Sequence, residues 1–267
     1  MTSFLNDIKT DLRHISFSTQ FEIKKHIKRK RLLIVSVLAL LIPLLLYVVP
    51  LATGGEFAST GDAFASTILG FIIFLIMLSG AIFTGDVISG EQEKRTGLLL
   101  YPTPQRQNSI SIGKYLAGII ATCSAVALFY LVTIIEIIAI YGTGGISVNL
   151  FKSFLIALLY STSVVSVVYF FSSMVKRAVL STLLGFLSFL MIFPIATTLL
   201  QAAQVDPWFI ITHSSDLISN VLGGSGSGFG GVGFAPEFYL GILVMTAYTI
   251  IFFLAGLIRA NRQKMEG

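Results

Sequence analysis

Residues 153–200 read SFLIALLYSTSVVSVVYFFSSMVKRAVLSTLLGFLSFLMIFPIATTLL. Two apolar runs lie in this stretch, 153–175 and 178–200, and only Lys176 and Arg177 separate them. Each run has the roughly 20 residues that a helix needs to cross about 30 Å of hydrocarbon. One unbroken helix would bury both cations in the membrane at high cost, so the pair predicts a turn at a membrane surface.

Apolar runs of the same kind recur along the chain, at 32–52, 63–85, 112–140 and 238–258. The composition agrees, since 55% of the 267 residues are hydrophobic and only 12% are charged, against about a quarter charged in soluble domains. Lipid offers no partner for backbone groups, and the sequence lacks the two-residue alternation of a membrane β-barrel. It therefore predicts an all-α, multi-pass protein of the cell membrane, with six spans in one domain at 32–258.

Lysine and arginine are distributed unevenly about these spans. If the N-terminus is cytoplasmic, every one of the 18 Lys and Arg residues except Lys152 lies on the cytoplasmic side. The positive-inside rule therefore predicts that both termini are cytoplasmic, with a tail at 259–267. The net charge of +5 is an orientation signal, and nucleic acid is not an expected partner.

The first 31 residues precede the spans and form a segment of their own. Apolar residues recur there at helical spacing, with charged residues between them: Phe4, Ile8, Leu12 and Ile15. This pattern predicts an amphipathic elbow helix at the membrane surface, and the basic run 24–31 would anchor it to anionic headgroups. The alternative is a solvated charge run that only fixes the topology.

No motif for nucleotide, metal or hydrolytic chemistry stands out. The run 226–231 matches G-x-G-x-x-G in form, but it follows no strand and opens no helix, so a flexible linker is the better interpretation. There is no G-x-x-x-x-G-K-[ST] motif, and His14, His26 and His213 lack the spacing of metal ligands. We expect a transport subunit rather than an enzyme, with no metal or cofactor bound by this chain.

Glu136 is the one acid inside an apolar run, which makes it a candidate for an intramembrane polar site. It follows Lys114 by 22 residues, or about 33 Å of helix, which puts it near the outer boundary. Pairing or interfacial solvation is one interpretation, and a proton-relay or substrate role is the other.

Small residues recur at every fourth position from the start of the third span: Gly113, Ala117, Ala121 and Ala125. Such a stripe lets another helix approach closely. The approaching helix belongs either to the same bundle or to a second subunit.

The longest cytoplasmic connection, 86–111, reads DVISGEQEKRTGLLLYPTPQRQNSIS. A charged start is followed by the apolar stretch Leu98–Tyr101, and Pro102 and Pro104 would end a helix there. The pattern predicts a short amphipathic element at 90–106 on the inner membrane surface. An ordinary charged loop would need neither the leucine run nor two prolines.

The external segment 201–237 precedes the last span. It contains Trp208, which suits a membrane interface, and a glycine-rich run at 223–233. Its first part is apolar enough to form short helices that dip into the outer leaflet, so we expect a re-entrant segment.

The 86–114 stretch resembles the membrane subunit of type-2 ABC exporters. That family shows an acid, a G-E-x-E-x-x-T-like stretch, a leucine-rich run, a Pro, an Arg and a G-K at the next span. The matching positions here are Gly90, Glu91, Glu93, Thr96, Leu98 to Leu100, Pro102, Arg106, Gly113 and Lys114. The topology fits as well, and the chain is most similar to the small six-span branch with sodium-export and copper-maturation permeases.

The resemblance implies a mechanism. Two permease subunits, either two copies of this chain or this chain with a homologue, would form a pathway along their interface. Separate ABC ATPase subunits would use ATP and Mg beneath them, and 90–106 would be the coupling helix. Its candidate residues are Gly90, Glu91, Glu93, Arg95, Thr96, Gly97, Leu98, Pro102 and Arg106. The candidate external gate is Pro207, Trp208 and Phe209.

Two other functions stay open at this point. The chain could be a membrane assembly or sensor subunit that binds an ATPase without moving cargo. It could also be a secondary carrier or channel, although the first spans carry no charge for an ion-coupled site.

Overall fold

The computed structural model describes residues 2–93, 107–224 and 234–265, which form helices and turns and contain no strand. Six stretches within these residues are long and apolar enough to cross a membrane: Arg31–Thr53, Gly61–Glu93, Asn108–Tyr141, Val148–Met174, Ala178–Ala202 and Phe238–Arg262. This confirms the predicted all-α polytopic fold.

The helices follow one another along the chain. They are α1 (Thr2–Lys28), α2 (Arg31–Thr53), α3 (Gly61–Leu69), α4 (Ile72–Thr84), α5 (Ser89–Glu93), α6 (Gln107–Tyr141), α7 (Val148–Met174), α8 (Ala178–Leu187), α9 (Phe193–Ala202), α10 (Ile211–Ser215), α11 (Leu217–Asn220) and α12 (Phe238–Met265). The second span is thus built from α3 and α4 and continues into α5. The fifth span is built from α8 and α9.

Helix α1 crosses the inner end of α6. Thr19 Oγ1 donates to the Gly113 carbonyl at 3.0 Å, and Ser18 Oγ donates to the Ile110 carbonyl at 3.2 Å. A Cβ atom at Gly113 would lie 2.6 Å from Ser18 Cβ, so only glycine allows this approach. On the other side of α1, Phe17 and Phe21 are exposed, as expected of a helix lying against lipid.

The small-residue stripe of the third span is buried within the chain. Ala117, Ala121 and Ala125 pack in the bundle, and Gly113 meets α1. Generic packing, the first of the two interpretations, accounts for the stripe without a second subunit.

Helices α4 and α7 form the centre of the bundle, and α2, the fifth span and α12 surround them. The largest fully buried side chains include Tyr160 and Tyr169 of α7 and Phe83 of α4. Serines also line α7 with no exposed surface, at 153, 161, 163, 166, 172 and 173. Hydroxyls in a membrane interior need partners. Five of these serines donate to backbone carbonyls, and Ser172 accepts hydrogen bonds from two backbone amides.

The fifth span is not a regular α-helix. A π-helical turn, Ser188–Ile192, joins α8 to α9, and Pro194 follows directly. The Phe193 N–H donates to the Ser188 carbonyl, five residues back instead of four. The predicted turn at Lys176 and Arg177 separates α7 from α8.

Candidate coupling site and external segment

The start of α5 is fixed to the inner end of α7. Ser172 Oγ accepts hydrogen bonds from the Ile88 and Ser89 amides, at 3.0 and 3.3 Å. Ser172 and Ser89 have no exposed surface, and Ser89 Oγ donates to the Gly85 carbonyl at 3.1 Å. The predicted coupling element therefore begins on a buried anchor.

Two acids of α5 tie it to two further spans. Glu91 forms an ion pair with Lys114 near the start of α6, and the Lys114 side chain is only 5% exposed. Glu93 accepts a hydrogen bond at 2.8 Å from the Ala178 amide, which begins α8. Both acids thus have partners within this chain.

A second ion pair joins the inner ends of the first two spans. Arg31 donates to both carboxylate oxygens of Asp86 at 2.7 Å, and its Nη1 also reaches the Ile82 carbonyl at 3.0 Å. Arg29 adds a longer contact to Asp86 at 3.4 Å. Sequence reasoning missed this pair, although a signal exists. Arg31 is the last charge before the first span, and Asp86 is the first acid after the second span. Because consecutive spans are antiparallel, both residues lie at the same membrane surface.

Helix α1 presents a buried histidine to this end of the bundle. His26 is 2% exposed and packs edge-on against Phe83 of α4, with ring centroids 5.2 Å apart. Burial lowers its pKa to about 4, so the ring is neutral at physiological pH. Beside it, Glu22 pairs with Lys25 at 2.8 Å.

The structure accounts for only part of the predicted coupling set. Gly90, Glu91 and Glu93 lie on α5. The rest lie outside the described residues: Arg95, Thr96, Gly97, Leu98, Pro102 and Arg106. Their role in coupling stays a prediction.

At the opposite end of the bundle, the external segment turns inward. Helices α10 and α11 are buried almost completely, including the polar run Thr212–Asp216. Several of their contacts are hydrogen bonds between hydroxyl and carbonyl groups. Ser153 Oγ donates to the Ile218 carbonyl at 2.6 Å and bonds the Tyr130 hydroxyl at 2.8 Å. The Thr197 and Thr212 hydroxyls lie 3.3 Å apart.

The three predicted gate residues lie before this buried part. Pro207 is buried, whereas Trp208 and Phe209 are about half exposed. The inward contacts are made by 210–222, which belongs to the stretch that the sequence predicts to form short re-entrant helices. His213 is buried there, with Nε2 3.8 Å from Asp206 Oδ1, and burial lowers its pKa.

Glu136 is 6% exposed on α6. Within the described part of the chain it forms no ion pair, and its Oε2 has no hydrogen-bond partner. Both interpretations of Glu136, pairing or interfacial solvation and a functional role, stay predictions.

A comparison with known protein families finds a match over more than half of the chain. The family model described as ABC-2 family transporter protein matches residues 19–194.

The chain belongs to the ABC-2 transporter family.

The match begins within α1 and extends to the start of α9, so it includes the α5 anchor and the Glu91–Lys114 pair. Membership of the ABC-2 family and six spans make the chain the multi-pass membrane component of an ABC transporter, in the cell membrane. No curated protein sequence matches the chain.

Proposed function

We propose that this chain is the permease subunit of an ATP-driven exporter whose ATPase is a separate polypeptide. One observation carries the proposal: the short helix α5 is held by three different spans at once. It contacts Ser172 of α7, Lys114 of α6 and the first amide of α8. A force applied to α5 would therefore reach half of the bundle.

The charge distribution supports a cytoplasmic position for α5. The positive-inside rule assigns its end of the bundle to the side where ATP is available. The sequence has no P-loop of its own, so ATP and Mg would be bound and used by a partner ATPase. We propose that this ATPase docks on 90–106.

The proposed mechanism is alternating access between two states. ATP-driven movement of the ATPase would displace α5, and the Glu91–Lys114 pair would pass that displacement to α6. Two permease subunits would thereby switch between inward- and outward-facing arrangements around a shared pathway. The segment 207–222 would act as the external gate.

Co-purification of the ATPase tests the docking site. Glu91→Lys combined with Glu93→Lys is expected to abolish co-purification, because it repels Lys114 and removes the acceptor for the Ala178 amide. The matched control is Glu56→Lys with Glu237→Lys, which changes the same charge at two exposed acids in external loops. Unchanged co-purification of the α5 variant would contradict the docking site.

A charge exchange separates two roles of Glu91. If the Glu91–Lys114 pair positions α5, then Glu91→Lys with Lys114→Glu restores co-purification that either single change loses. If Glu91 itself contacts the ATPase, the exchanged protein stays deficient.

Transport is tested separately in vesicles that contain the complex. An exporter's ATPase rate rises when its cargo is added, and cargo accumulates on the far side. An ATPase rate that no candidate cargo changes would favour a non-transporting assembly or sensor subunit. Transport without any ATPase would favour a secondary carrier.

A further inference from the structure

The backbone hydrogen bonds of the fifth span are interrupted at one point along its length. Pro194 has no N–H to offer the Leu190 carbonyl, and the preceding π-helical turn replaces the usual four-residue hydrogen bonds. Ser188 also turns its hydroxyl back onto the Leu184 carbonyl. Sharp bends in helices occur where such features interrupt the backbone ladder.

The inner half of this span, α8, is packed tightly on the central helices. A Cβ atom on Gly85 would lie 2.7 Å from the Thr182 Cα, so the α4–α5 junction and α8 meet backbone to backbone. Gly185 likewise faces Val168 of α7, where an added Cβ would approach to 3.1 Å. With the Glu93 bond to the Ala178 amide, α8 belongs to the inner end.

The outer half, α9, is attached to different neighbours. It packs on α10 of the external segment, and the fully buried Thr197 and Thr212 hydroxyls meet there. At its start, Phe193 contacts the Tyr248 ring of α12. The two halves of one span are thus attached to opposite ends of the molecule.

We propose that Ser188–Pro194 is a hinge in the fifth span, on which α9, α10 and α11 tilt relative to α8. Bending at this point breaks fewer backbone hydrogen bonds than bending elsewhere in the span. Hinges of this kind are short segments that absorb the backbone change between two packed bodies. Rotation at Ser188–Pro194 would move the buried helices α10 and α11 without disturbing the packing of α8 on Gly85.

A distance measurement across the hinge tests it in the chain alone. Cys123→Ser first removes the only cysteine. Val179→Cys and Leu199→Cys then carry spin labels at sites that are 70% and 66% exposed, about 30 Å apart along the helix axis. Double electron–electron resonance in lipid nanodiscs is expected to give a broader distance distribution than a reference pair within α12, Leu243→Cys and Ile258→Cys.

Straightening the span should remove that excess width. Pro194→Ala restores the missing N–H, and deletion of one residue within Ser188–Ile192 restores the four-residue ladder. Both are expected to narrow the distribution to that of the α12 pair, whereas Pro50→Ala, which removes a proline from α2, should not change it. A distribution no broader than the reference, or one that Pro194→Ala leaves unchanged, would overturn the hinge.

A second measurement asks whether the hinge serves transport, and this part rests on the proposed function. In the complex with the ATPase, ATP with vanadate is expected to shift the Val179–Leu199 distance, and Pro194→Ala is expected to abolish the shift. A complex that forms but shows no shift would overturn the coupled hinge. Failure of the complex to form would overturn the proposed function and leave the first measurement valid.

Discussion

The two ends of this bundle are held together by different chemistry. At the inner end, ion pairs join separate helices: Arg31 with Asp86, and Lys114 with Glu91. At the outer end, hydroxyl and carbonyl groups form hydrogen bonds to the buried segment, as at Ser153 and Ile218. Breaking a buried ion pair leaves an uncompensated charge, whereas parting neutral hydrogen bonds costs less. We therefore expect the inner end to behave as a fixed joint and the outer end as a releasable one.

The Arg31–Asp86 pair gives the strongest test of this contrast. Asp86→Ala leaves Arg31 partly buried without its bidentate partner, which should destabilise the protein by about 3 kcal/mol. Thermal unfolding in nanodiscs would measure the loss. Arg29→Ala is the control, because Arg29 makes only the 3.4 Å contact and is 40% exposed. Equal losses in the two variants would mean that the bidentate pair does not fix the inner end.

Ser172 tests whether the fixed joint also depends on a neutral anchor. Ser172→Ala removes the acceptor for two buried amides, and unsatisfied buried groups cost about 1–3 kcal/mol. Faster hydrogen exchange is expected at Ile88 and Ser89. Ser173→Ala is closely matched, since Ser173 is equally buried but donates only to Phe170 of its own helix. Similar exchange in both variants would exclude Ser172 as the anchor.

Ser153 tests the releasable end. Ser153→Ala removes bonds to Tyr130 and Ile218, and hydrogen bonds between membrane helices contribute only about 0.6 kcal/mol on average. We expect little change in unfolding but faster proteolysis or exchange within 211–222. Ser161→Ala is the control, because Ser161 bonds only the Ala157 carbonyl of its own helix. If Ser161→Ala speeds proteolysis or exchange within 211–222 equally, Ser153 has no special role in holding the segment.

A further small effect is expected at His26, whose ring is neutral although it lies at the end of the bundle where the ion pairs are. Its pKa is lowered to about 4 in the folded protein from 6.5, so the unfolded state binds more protons between these values. Stability therefore falls as the pH drops below 6.5, by less than about 1 kcal/mol between pH 7 and pH 6. Unfolding as a function of pH measures this. His26→Phe should flatten the profile.

The sequence predicts the spans and the turn at Lys176 and Arg177 well, because lipid imposes a length and a charge rule that can be read locally. It also indicates a close helix approach at Gly113. It does not identify α1 as the helix that approaches, because the partner residue Ser18 lies in a segment with several possible docking sites.

The anchors of the candidate site were harder to predict for a physical reason. Ser172 and the Ile88 amide it binds are 84 residues apart, and no local pattern links a serine in a span to a distant amide. The apolar residues of the external segment predict short helices that dip inward, but they do not show that the polar run Thr212–Asp216 is buried with them. Pro194 predicts a bend in the fifth span, but the π-helical turn that accommodates it appears only in the structure.

The contact between α1 and α6 also constrains how the protein assembles during synthesis. Helix α1 leaves the ribosome before α6, and the Gly113 carbonyl that accepts the Thr19 hydrogen bond follows Thr19 by 94 residues. Two complete spans must therefore enter the membrane before α1 can find its place. Until then its exposed phenylalanines and lysines would keep it on the bilayer surface, so the bundle closes at its inner end only when the third span arrives.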